Sequence, residues 1–153
     1  MNSTLGEVLL MLKNIQIKLK NYLTEEFPTT TFIGGLNRNS GIAETIPGYD
    51  SIIHIHTLDN NIEILDLNFP KYVRESEIEA PEEIPMEVFI EELNLVQRVL
   101  RINTDFDTAK VLLTENLHSS SIIFEKGETN IRDILESYEI PEEQIVKQFL
   151  MQK

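Results

Sequence analysis

SIIHIHTLDNNIEILDLNFP, residues 51–70, carries the strongest strand signal in the chain. Residues 51–58 and 62–69 are rich in β-branched side chains, and Asp59, Asn60 and Asn61 separate them. Asx residues tolerate the positive φ angles of a tight turn, so the spacing predicts a β-hairpin. Alternate residues of a strand face opposite ways. Ile53, Ile55 and Thr57 would share one face, and His54, His56 and Leu58 the other. In the second strand the apolar parity changes after Ile64, which reads as a bulge or as a strand covered on both faces. Pro70 offers no ladder donor and would end the strand.

The same hairpin places the one constellation that suggests chemistry. In a strand, His54 and His56 project side by side, and a two-residue turn would set Glu63 opposite His56. Two imidazoles and a carboxylate form a metal-ligand set of the kind used by non-haem iron. A sheet face bearing two half-exposed rings is the simpler reading, because only His118 remains as a further imidazole.

Before the hairpin, Thr4-Leu5-Gly6-Glu7 has capping-box spacing. Leu5, Val8, Leu9, Leu12, Ile15, Leu19 and Leu23 then recur every three or four residues, which predicts an amphipathic helix that ends before Pro28. Lys13, Lys18 and Lys20 lie on its other face, as solvated groups or as a contact for an acidic segment within the chain or in a homodimer. Residues 29–33 (TTTFI) read as a strand, and residues 35–41 as a glycine-flanked hairpin turn with Arg38 at its tip. Residues 42–46 read as extended, and residues 47–50 as a turn.

After the hairpin the character changes. Between Glu75 and Glu92 there are eight glutamates and no lysine or arginine. Glu75, Glu77, Glu79, Glu82, Glu83 and Glu87 make this run either a solvated linker with a helix start or a contact surface for a basic protein partner, with Arg38 as a further contact. Pro85 suits the first turn of a helix whose buried stripe is Met86, Phe89, Ile90, Leu93, Val96, Val99 and Leu100. Further helices are expected over 105–117, 131–138 and 142–151, with a short strand over 119–125.

The chain has 153 residues, enough to bury one core, and its apolar share of 41% is ordinary for a globular domain, so residues 1–153 are expected to form a single domain. With no cysteine, disulfides, thiolate metal sites and cysteine nucleophiles are excluded, and a reducing cytoplasm is the expected setting. No apolar run reaches the roughly 20 residues that span a bilayer. The net charge of −13 disfavours direct contact with nucleic acid or an anionic membrane; it is compatible with a basic partner or mimicry of nucleic-acid charge, and the simpler reading is that it keeps a small domain soluble. No phosphate-loop, dinucleotide, zinc-protease or calcium-loop motif occurs, so no cofactor is expected.

The expected fold class is α+β: an N-terminal helix, an antiparallel meander of three to four strands and a helical C-terminal half. In element order, with Phe69-Pro70 and Tyr72 after the meander, it resembles the ubiquitin-conjugating and RWD fold; without the catalytic cysteine, that resemblance implies binding alone. The outline is also similar to dimeric secretion chaperones. The expected function is an acidic protein-binding module, such as an inhibitor, an immunity or anti-defence protein, or a chaperone. The alternatives are a metal site at His54 and His56, or a nucleic-acid mimic.

Overall fold

The computed structural model describes residues 4–39, 41 and 44–150, with the backbone alone at 148–150. It is 73% helical, with no strand among the described residues, so the fold is all-α and the expected α+β meander is overturned. In chain order the helices are α1 (Leu5–Glu26), α2 (Pro28–Arg38), α3 (Tyr49–Leu58), α4 (Phe69–Glu75), α5 (Met86–Ile102), α6 (Phe106–Thr114), α7 (Ser120–Lys126), α8 (Glu128–Ser137) and α9 (Glu142–Leu150). A 3-10 turn, Ile64–Asp66, lies between α3 and α4.

α5 is the centre. Phe89, Leu93, Val96, Val99 and Leu100 recur at helical spacing and are buried. They meet α3, α4, α6 and the 3-10 turn. Pro85 is the N-cap residue, one position before the first turn in which its sequence position placed it. One apolar cluster runs from Phe32 in α2 to Ile145 in α9.

The expected hairpin is replaced by α3, the 3-10 turn and α4. Alternation of Ile53 with His54 suggests period two, but burial follows Ser51, Ile52 and Ile55, a helical spacing. β-Branched residues lose at most about 0.7 kcal/mol each in a helix, whereas burying an isoleucine gains roughly 1.5–3 kcal/mol, so packing on α5 overrides propensity. Asp59 is the C-cap of α3 and its Oδ1 accepts from the Asn61 N–H at 3.1 Å, which makes the Asp-Asn-Asn run a helix exit. The segment after it finds side-chain partners in place of a ladder. Thr29 Oγ1 accepts from the Ile64 N–H at 3.0 Å, Gln97 Nε2 donates to the carbonyls of Ile64 and Leu67 at 2.7 Å each, and Arg101 Nη2 donates to that of Leu65 at 2.6 Å.

The other two expected strands are also helical. Residues 29–33 lie in α2, with Pro28 in its first turn and Thr29, Phe32, Ile33 and Leu36 buried one above another. Gly34 through Arg38 continue that helix, which replaces the expected hairpin turn; Ser40, Ile42 and Ala43 lie outside the described residues. Gly35 lets α6 approach: a Cβ there would sit 2.4 Å from Phe106 Cδ2, and Phe106 packs on Phe32 with ring centroids 5.7 Å apart. Residues 120–126 form α7, capped by Ser119 Oγ accepting from the Ile122 N–H at 3.2 Å. Without a meander, the outline likenesses to the RWD fold and to the secretion chaperones lose their basis.

α1 forms where the capping box predicts, with Thr4 and Glu7 exchanging bonds. Thr24 is its only buried residue, so its apolar stripe stays largely exposed, and α2 is its main neighbour.

Candidate acidic partner interface

Residues 76–85 join α4 to α5 and lie across α3 as a strap. α4 starts with Asn68 Oδ1 accepting from the Lys71 N–H at 3.1 Å. It stops at Glu77, whose φ of 53° turns the chain, while the Ile78 N–H donates back to the Val73 carbonyl at 3.0 Å. The strap is then pinned by His54, whose Nε2 is 2.8 Å from the Glu79 carbonyl oxygen. A carbonyl only accepts, so Nε2 carries the proton in this contact. The His54 ring also stands edge-on to Phe89, with centroids 5.6 Å apart, so one imidazole joins the strap to the core helix.

A cleft opens on each side of this pin. One, of about 610 Å³, is lined by His54, Asp59, Tyr72, Glu77 and Glu79 among others. The second, of about 650 Å³, is lined by Asp50, His54, Thr57, Glu82 and Glu83 together with Ile53 and Ile84. No lysine or arginine lines either cleft. Tyr72 donates its hydroxyl to Asp59 Oδ2 at 2.6 Å, which ties the end of α3 to α4. That hydrogen bond, with burial and the Asp59 charge, pushes the Tyr72 pKa from 10.0 up to about 12. Carboxylates without a cationic neighbour suit guanidinium and ammonium groups, which donate to them in charge-assisted bonds. No protein-family model, curated protein or solved structure matches the chain.

Of the residues singled out from sequence, Glu77, Glu79, Glu82 and Glu83 converge on the strap, together with His54. Glu75 ends α4 and Glu87 opens α5; both are exposed beside the strap and line neither cleft. Arg38 is elsewhere, on a groove between α1 and α2. Glu92 is half-buried and accepts from Ser51 Oγ at 3.2 Å, a bond between α5 and α3.

The structure does not bring His54, His56 and Glu63 together as a ligand set. Two residues apart on a helix, the histidines point about 200° away from each other. Glu63 instead accepts from Thr29 Oγ1 at 3.3 Å. No group of three His, Asp or Glu side chains among the described residues is arranged to hold a metal ion.

The sequence reading gave Asp50 and Asp59 no role at the acidic surface. Asp50 lies in the first turn of α3 and Asp59 is its C-cap, and only the helical form of residues 49–58 brings them to the strap. No helix among the described residues is long and apolar enough to cross a membrane.

Proposed function

We propose that the chain is a binding module for a basic protein segment, held at the strap 76–85, and that it acts as an inhibitor, an immunity-type protein or a chaperone towards that partner. The observation that carries this reading is the pair of acid-lined clefts on either side of His54, neither with a cation on its walls. A lysine or arginine entering one cleft would meet Asp59, Glu77 and Glu79; one entering the other would meet Asp50, Glu82 and Glu83. The charge of −13 over the whole chain would draw such a segment in from a distance and repel acidic competitors. Ile53, Ile78 and Ile84 on the walls would take the aliphatic stems of those side chains. A cysteine-free chain suits a reducing cytoplasm as the place where this happens.

The test is a titration with a synthetic lysine- and arginine-rich peptide, followed by amide hydrogen exchange at low and high salt. Protection concentrated at 76–85 and at the end of α3, and lost at high salt, is the expected result. Protection spread evenly over the surface, or protection insensitive to salt, would contradict it.

A further inference from the structure

α1 is a 22-residue helix, about 33 Å long, that leaves nearly all of its apolar surface in water. Leu5, Val8, Leu12, Ile15, Leu19 and Tyr22 are spaced three and four residues apart over three heptads, the a and d positions of a coiled-coil seam. The large side chains of this seam are 48% to 75% exposed, from Leu12 to Leu5. The polar stripe is narrow and regular: Gly6-Glu7, Lys13-Asn14 and Lys20-Asn21, each one heptad on from the last. A helix this apolar is ordinarily covered.

We propose that a second copy of the chain covers it: α1 is a dimerisation arm that pairs with α1 of another copy, antiparallel, through the a/d seam.

Three observations favour this occupant. The first is charge. α1 contains Glu7, Glu25 and Glu26 against Lys13, Lys18 and Lys20, so the arm is neutral and the whole of the −13 lies on the rest of the chain. A parallel pair would hold two strongly acidic bodies side by side. An antiparallel pair holds them at opposite ends of a helix about 33 Å long, several times the screening length of about 8 Å at physiological salt.

The second is register. With the two-fold axis between residues 13 and 14, Leu5 meets Tyr22 of the second copy, Val8 meets Leu19 and Leu12 meets Ile15, so every layer is apolar. The flanking positions set Leu9 against Gln16 and Met11 against Lys18, and no like charges face each other.

The third is size. The seam and the leucines beside it present on the order of 700 Å² per copy, or about 1,400 Å² for the pair, within the roughly 1,200–2,000 Å² of a specific stable interface. The seam also runs into an open groove of about 510 Å³ where Leu19 and Leu23 face Phe27 and Gly34. In the antiparallel register the first turn of the incoming helix arrives there, and Leu5 and Leu9 have apolar walls to meet. This interface is separate from the acidic strap, so either assignment stands or falls without the other.

Sedimentation of the full chain from about 1 to about 100 µM tests it. The expected mass is twice that of the 17.7 kDa chain. The double variant Leu12→Asp/Ile15→Asp should return to single-chain mass with its helical content kept, because both side chains are already exposed. Leu10→Asp, off the seam, should still pair. A spin label at Asn21→Cys should give a separation with an axial component of about 22 Å. Wild-type chain that stays single at the highest concentration would overturn the proposal, as would equal loss of pairing in Leu10→Asp, or labels with no axial offset. Capture of a single-chain wild type by phosphatidylcholine vesicles would also overturn it, by giving the arm to a lipid surface.

Discussion

Gln97 shows how a single side chain replaces a sheet ladder. It is buried on α5, and its Nε2 serves the Ile64 and Leu67 carbonyls at once. Gln97→Leu keeps the bulk and removes both donors, so it should cost about 1–3 kcal/mol, read as a lower midpoint in urea unfolding. An unchanged midpoint would mean that water already satisfies those carbonyls. Tyr72 gives a test in alkaline solution. Its pKa in the folded chain, about 12, lies above the ordinary 10.0, so its bond to Asp59 contributes stability in full below pH 10. That contribution is lost as pH rises from about 10 to about 12. Asp59→Asn removes the charge that holds the proton, and phenolate absorbance assigned with a Tyr72→Phe control should then appear closer to pH 10. Ionisation of Tyr72 at the same pH in both chains would contradict the bond.

At the scale of elements, what was legible was helix starts. The Thr4–Glu7 box opens α1, and Pro85 precedes α5. The helix expected over 105–117 spans Phe106–Thr114 as α6, with Asp105 as its cap, accepting from the Thr108 N–H at 3.1 Å. α8 begins at Glu128, three residues before its expected start, and α9 begins at Glu142 as expected; Met151, its expected end, lies outside the described residues. The stop of α1 before Pro28 was legible, but three later stops were not, because they use non-glycine residues in the left-handed region. Glu77, Asn116 and Glu139 have φ of 53°, 58° and 60°, and each is followed by an apolar residue whose N–H bonds back to the helix it leaves. α3 was misread for a related reason. Over the four residues of alternating Ile and His, 53–56, period two and period 3.6 fit equally well, and only burial against α5 separates them. A left-handed non-glycine residue costs about 1 kcal/mol, so Glu139→Gly should raise stability by about that amount, seen as a higher melting temperature. A lower melting temperature would mean that the Glu139 side chain makes a favourable contact.

At the scale of the molecule, the acidic run was legible as a surface but not as a shape. Its glutamates are clustered in sequence, yet the clefts need Asp50 of α3 and its C-cap Asp59, which a hairpin would have sent elsewhere. The exposed α1 stripe has the opposite lesson: amphipathic spacing predicts that a helix face is covered, not that its own chain covers it. The two surfaces divide the charge, with a neutral apolar arm on one side and the acidic strap within the body. The central claim, that the strap receives a basic segment, is tested most directly by association rate. A lysine- and arginine-rich peptide should bind wild-type chain quickly at low salt and slow steeply as salt is added. With Glu77, Glu79, Glu82 and Glu83 all changed to lysine, the rate should fall at least about tenfold and its salt dependence should flatten. Equal rates and equal salt slopes in the two chains would contradict the account.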